Sequence, residues 1–304
     1  MSSKMRWLVP LAALVVLAGA PRHAIAQAEV QNNFKYNSGQ DIQPIFEGWS
    51  KNPDGSFNMH FGYLNRNYVE EPTIPVGLNN SVEPGGPDRG QPTFFYPRTN
   101  RNLFRVSVPK DWGKKDLIWT ITVNGKTEKA YGWLQPEWEI DPAGGAQTGG
   151  RTDKEFLSNK PPTITIDAAS SVALGDTLTL NATVTDDGIP KPAPQRKPAL
   201  GQETPPTLQG NTDAPVNVPS VAGATRQAGG GGGGGGRGGA QGPTVTWTLW
   251  RGPAGVTFGQ RTTPVKDGKA QTTVAFTKPG EYILRGRASD RILTADKDVR
   301  ITVK

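Results

Sequence analysis

Residues 278–303, reading KPGEYILRGRASDRILTADKDVRITV, constrain this chain more than any other stretch. Tyr282, Leu284, Gly286 and Ala288 share one face of a two-residue period, while Ile283, Arg285, Arg287 and Ser289 take the other. After Asp290-Arg291 the run returns with Val299, Ile301 and Val303 on the apolar side and Asp298, Arg300 and Thr302 opposite. The pattern predicts a β-hairpin with one buried face and one mostly wet face.

Three earlier runs, 163–166, 177–185 and 244–249, carry the same alternation and are its natural pairing partners. Their inward positions are Ile164 and Ile166, then Leu178, Leu180, Ala182 and Val184, then Val245, Trp247 and Leu249. Val274 and Phe276 add a further strand before Pro279-Gly280, and threonines occupy the outward positions, as strand propensity favours. A Trp in the third strand facing a strand that opens Pro-Gly-Glu-Tyr matches the core Trp and tyrosine corner of immunoglobulin-like sandwiches. Leu284 stands where a disulfide-bonded domain of that kind has its second Cys, and the chain contains no Cys, so packing alone must hold this sandwich.

The segments VTWTLWRGPAGVTF, FTKPGEYILRGRASD and DKDVRITV resemble the PKD-like branch of immunoglobulin-like sandwiches in exported bacterial proteins. The resemblance covers 161–304 apart from one insertion, and the usual Asp-Gly of the last hairpin is Asp290-Arg291 here. It implies a fold and an exported location. Such modules serve as spacers, adhesins or carbohydrate-associated accessories, so no catalytic residues carry over.

Residues 1–26 have basic Lys4 and Arg6, an apolar run from Trp7 to Ala20 and the small-residue ending Ala24-Ile25-Ala26, the pattern of a secretory signal peptide cleaved before Gln27. Pro10 interrupts an apolar run too short for a membrane span, and nothing later could insert into a bilayer. The mature chain is therefore expected in the periplasm or outside the cell, with no membrane insertion after cleavage. Removing Lys4, Arg6 and Arg22 takes much of the formal charge of +7 away, and residues 188–243 hold most of the rest. No basic surface of nucleic-acid type follows, so nucleic acid is not an expected partner.

The fold class read from these patterns is all-β: two tandem β-sandwich, immunoglobulin-like domains at 27–142 and 161–304, joined by a Gly-rich linker at 143–160. In the first domain strands are expected at 46–50, 57–64, 103–108, 117–123 and 126–134, with turns at Asn52-Pro53-Asp54-Gly55 and Asn124-Gly125. Residues 79–90 read as a long polar loop. Much of this block, notably GYLNRNYVEEPTIPVG, is similar to segments of exported bacterial proteins with no assigned activity. Residues 188–243 interrupt the second domain; with no aromatic residue and a run of glycines at 229–236, they read as a disordered loop beside the linker, at the pole of the last hairpin turn. The glycine run lacks the preceding strand and the following Gly-Lys-Ser/Thr of a phosphate-binding loop.

Little catalytic chemistry is on offer. His60 is the only histidine beyond the leader and reads as a solvated strand residue beside Asn58. Glu70 and Glu71 are strand neighbours, so they point to opposite faces and cannot flank one glycosidic bond. No catalytic residues are assigned and no enzyme is expected. The function read here is a non-enzymatic structural or protein-interaction module; the alternative is a protein that binds carbohydrate or cell-surface polysaccharide through first-domain aromatics. Seventeen aromatic residues fall within 27–142, more than one sandwich core uses. Trp49, Tyr131, Trp133, Tyr68, Tyr96 and Trp112 fall at strand ends or in loops and are the candidate ligand-binding set. No cofactor is required, but Asp186, Asp187, Asp290 and Asp296 end strands at one pole and form a candidate calcium set.

Overall fold

Strands form where apolar side chains recur every second residue; those expected at 46–50, 103–108 and 244–249 are longer in the fold, and the one expected at 126–134 ends at Gly132. The computed structural model describes residues 35–140, 158–190 and 242–304. Residues 1–34, 141–157 and 191–241 lie outside the described residues, and so do the readings of a signal peptide, a linker and a disordered insertion that fall on them.

The first half places β1 (Ile42–Lys51), β2 (Phe57–Asn65) and β4 (Arg98–Val108) in one antiparallel sheet, and β3 (Asn80–Glu83), β5 (Leu117–Val123) and β6 (Lys126–Gly132) in a second. Met59, Phe61, Tyr63, Val106, Trp119 and Ile121 fill the core of this half. The expected turn is present, with the Gly55 amide donating to the Asn52 carbonyl at 3.0 Å. The loop reading of 79–90 is corrected: β3 lies inside it, because Asn80 and Val82 turn inward and pair with Ile121 and Trp119. Beyond β6, a 3-10 turn at Pro136–Trp138 leads the chain back across β1, where the Ile140 amide donates to the Trp49 carbonyl. Gly48 permits that crossing. It has φ +125°, and a Cβ there would stand 2.6 Å from the Trp138 carbonyl oxygen.

The second half contains β7 (Thr163–Asp167), β8 (Ser171–Val172), β9 (Thr177–Thr185), β10 (Thr244–Arg251), β11 (Val256–Phe258), β12 (Thr262–Pro264), β13 (Lys269–Phe276), β14 (Gly280–Ser289) and β15 (Thr294–Val303). One sheet runs β11-β13-β9-β7 and the other β12-β10-β14-β15-β8, which is the division of strands of an immunoglobulin-like sandwich. Trp247 is buried and donates its indole N–H to Thr263 Oγ1, and the Tyr282 hydroxyl donates to the Lys278 carbonyl at 2.7 Å. The tyrosine corner expected from Pro-Gly-Glu-Tyr is therefore formed. Tyr282→Phe, which deletes only that hydroxyl, is expected to lower the unfolding free energy by about 1 kcal/mol in urea titrations.

The expected wet face of the last hairpin needs a correction. Ile283 packs against the core of the first half, and Arg285 and Arg287 both donate to the Leu103 carbonyl on β4, at 3.1 and 2.9 Å. Each guanidinium is also forked onto a carboxylate of β15, Arg285 on Asp298 and Arg287 on Asp296. A cationic row on a strand reads as a solvent face. Here the side chains lie flat, their aliphatic stems cover apolar surface, and their heads cap a carbonyl on the β4 edge.

Trp250 completes this junction. The β10–β14 register shifts between Leu249 and Arg251, so Leu249 enters the second core while Trp250 and Arg251 both turn to the first half. Trp250 lies 6.4 Å from the Phe104 ring with the Arg285 guanidinium 3.5 Å over its face, and it donates to the Gly90 carbonyl. Arg251 grips Asp88 with both terminal nitrogens, at 2.9 and 2.7 Å, and the Thr93 amide donates to the Trp250 carbonyl. Residues Lys35–Lys304 thus form one compact unit.

Candidate functional site

Where β11 approaches the 71–96 segment, the two halves leave a cleft of ≈160 Å³. Its apolar lining comes from Phe94, Leu249, Val256 and Phe258, and its polar groups are Glu71, Tyr96 and Arg261. The Tyr96 hydroxyl accepts from the Leu249 amide at 2.8 Å, which fixes the ring across the junction. Arg261 lies with its guanidinium 4.0 Å over that ring, and its Nε is buried with no hydrogen-bond partner. Glu71 stands on the rim. Partial burial raises its pKa, and the Arg261 charge partly offsets that. The two charges feel each other, yet no ion pair joins them among the described residues. The arrangement offers one acceptor and one set of donors on either side of an apolar floor.

The six candidate aromatics do not form one surface. Trp49 is buried against Phe57 and donates to the Gln135 carbonyl at 2.7 Å, and Trp112 is buried with its N–H on the Lys115 carbonyl. Both are therefore corrected from surface to core, because the chain that follows each of them supplies a carbonyl for the indole. Tyr96 belongs to the junction. Trp133 is half-buried between Phe46 and Trp138, with ring centroids 5.7 and 5.8 Å away. Tyr68 and Tyr131 remain exposed at 38% and 43%, and Tyr68 carries Arg98 4.2 Å above its ring. Trp138, 42% exposed, packs its ring against Trp133 and Phe46 at the surface.

The acidic set is divided as well. Asp186, Asp187 and Asp290 gather at one pole, but Asp296 is committed to Arg287. Asp290 Oδ1 accepts from the amides of Ile292 and Leu293 and so holds the last turn, while Asp187 accepts from Lys160 and Ile189. Among the described residues no three His, Cys, Asp or Glu side chains are placed to hold a metal ion. Asp186, Asp187 and Asp290 hold turns while Asp296, within β15, is paired with Arg287, and the four-residue calcium set is corrected accordingly. The contact of Lys160 with Asp187 does put the start of the insertion beside the end of the linker.

His60 is half-buried, not fully solvated. Its Nε2 lies 2.9 Å from the buried Ser50 Oγ, and burial, with Arg105 nearby, pushes its pKa down to about 4. The folded chain then binds fewer protons than the unfolded one between about pH 6.5 and 4, so the contribution of His60 is intact above 6.5 and lost as pH falls towards 4. A slope of stability against pH in that window, amounting to at most about 3 kcal/mol, is expected to flatten in His60→Gln. Chemical denaturation from pH 4 to 7 reads it.

No protein-family model and no curated protein matches the sequence. Among solved structures, a conjugative transposon lipoprotein from Bacteroides eggerthii is similar at 8% identity, covering 47% of this chain and 98% of its own, with a TM-score of 0.25. The D00-D0 domain of intimin is similar at 9% identity over 86% and 100%, TM-score 0.25. Domains 4 and 5 of the S-layer protein SbsC are similar at 12% identity over 62% and 65%, TM-score 0.22. Likenesses this distant bring no function to the chain. Among the described residues no helix is long and apolar enough to cross a membrane.

Proposed function

We propose that this chain is an exported, non-enzymatic protein-interaction module of PKD-like character, in which two β-sandwich halves present one continuous body to a partner. The observation that carries this reading is the junction. Trp250, Arg251, Arg285 and Arg287, four large side chains on one face of β10 and β14, are spent on fixing the halves together. That investment favours a presenting scaffold, since fixed halves hold the surfaces on either side in register. Among the described residues the one Ser–His contact, Ser50 with His60, has a histidine kept neutral by partial burial with Arg105 as its charged neighbour, a poor setting for a nucleophile.

A second reading, binding of cell-surface polysaccharide, is favoured by the exposed Tyr131 and Trp138 with Trp133 between the core and the surface. The test of both is cross-linking in the intact source cell with the full chain expressed from its own start, followed by N-terminal sequencing of the mature protein. A mature end at Gln27 and a discrete protein adduct support the first reading. Retention on isolated polysaccharide that Trp138→Ala abolishes supports the second. A mature protein that keeps residues 1–26 sinks the exported location.

A further inference from the structure

The outer edge of β11 runs beside the cleft. Among the described residues strand β11 pairs only with β13 and ends its sheet. The Gly255 carbonyl accepts from the Thr277 amide and the Gly259 amide donates to the Thr273 carbonyl, so residues 255, 257 and 259 turn their backbone groups towards β13. By the alternation of an antiparallel ladder, the N–H and C=O of Val256 and Phe258 then point away from the sheet. That edge is short, as natural edges are, and carries no charged residue to block pairing. Val256 and Phe258 also line the cleft that holds Glu71 and Arg261.

Arg261 Nε is buried with no hydrogen-bond partner among the described residues, and Glu71 is exposed at the rim. The half-buried Arg261 guanidinium, lying over the Tyr96 face, presents a fork of donors to whatever enters. Glu71 supplies acceptors across from it. A carboxylate ligand would suit Arg261 and be repelled by Glu71, an ammonium would do the reverse, and a purely apolar group would leave both dry and unpaired. A carboxamide fits both, its C=O accepting from Arg261 and its NH₂ donating to Glu71. The volume, about that of five waters, admits one side chain.

We propose that β11 receives an extended peptide segment of a partner protein by edge pairing with Val256 and Phe258, and that an Asn or Gln side chain of this segment enters the cleft between Glu71 and Arg261. Main-chain pairing provides affinity and the cleft provides selectivity, the division of labour of strand addition. The inference rests on the protein-interaction reading above and gives it a place and a ligand chemistry.

The test uses the full mature chain, isotopically labelled, with blocked pentapeptides Thr-Val-Xaa-Val-Thr in which Xaa is Gln, Glu or Leu. The Gln peptide is expected to move the Val256 and Phe258 amide resonances and to bind about tenfold more tightly than the other two. Arg261→Met, which keeps the stem on Tyr96, and Glu71→Gln are each expected to weaken the Gln peptide about tenfold. Val256→Pro removes an outward N–H that an edge strand can spare, and is expected to abolish binding while the remaining amide resonances keep the dispersion of the folded chain. Equal affinity for the three peptides, or unaltered binding by Val256→Pro, overturns the proposal. So does an N-acetylated oligosaccharide that moves the same resonances when no peptide does. If the peptides fail while cross-linking still captures a protein on cells, the cleft is the wrong place and the interaction reading survives; failure of both removes that reading as well.

Discussion

Trp250→Ala is expected to lower the unfolding free energy by about 3–5 kcal/mol, the range for truncating a large aromatic in a packed core. It is also expected to change the shape of unfolding. Trp250 grows from a strand of the second half and lies buried in the core of the first, so it is a structural member of both. Its loss opens a cavity beside Phe104, removes the surface under the Arg285 guanidinium and leaves the Gly90 carbonyl without its donor. Wild-type calorimetry should show one transition over Lys35–Lys304, and the variant two, with the first half melting earlier. Trp250→Phe, which keeps most of the volume, should retain the single transition. A variant that melts within about 1 kcal/mol of wild type in one step would mean that the halves do not depend on this ring. The neighbouring Arg251 hydrogen bonds hold the Asp88 pKa down to about 2. Stability from that pair is present above the ordinary Asp value and declines as pH falls towards 2, so acid should loosen the same junction.

Asn80→Leu is expected to cost about 3–5 kcal/mol although it removes no volume. Asn80 is fully buried and acts as a hub: its amide nitrogen donates to the carbonyls of Ile74 and Pro92, at 3.0 and 2.8 Å, and its oxygen accepts from the Trp119 indole at 3.0 Å. A leucine leaves three buried polar groups without partners, each worth about 1–3 kcal/mol and not fully additive. Those bonds tie the 72–92 segment onto the second sheet of the first half. The loss should therefore raise amide exchange in β3 and in residues 91–95 before it raises it in β1 and β2. A cost below about 1 kcal/mol in urea would sink the hub assignment.

Asn80 also shows where reading the sequence stops. Residues 79–90 are polar and rich in Gly and Pro, and by composition they are a loop. Strand β3 exists there because Trp119, far along the chain, needs an acceptor and Val82 needs a core, and neither demand is written locally. His60 follows the same rule. Parity places it on the outer face of β2, and neighbours on the strands on either side, among them Ser50 and Arg105, half-cover it there. The junction cleft was half legible. Tyr96 was marked as an aromatic outside a strand, and Glu71 was weighed only as half of a catalytic pair; Arg261, which gives both a purpose, lies in the other half of the chain and carries no motif.

By itself the sequence determined the secondary structure class, the inward residues of β9, β10, β14 and β15, and the tyrosine corner at Tyr282. Period two, a Trp on the third strand and Pro-Gly before Tyr are properties of neighbouring residues, and burying one face of each strand is compelled by the apolar side chains on it. Only the tertiary structure decided which of the remaining faces stays wet. Arg285, Arg287 and Trp250 form an outer row that alternation assigns to solvent, and the fold lays it under β4, where the guanidiniums cap Leu103 and the indole enters the first core. A local pattern records how polar a face is. What covers that face depends on shape, on the single bulge that turns Arg251 with Trp250, and on whether a carbonyl far away in sequence lacks a donor.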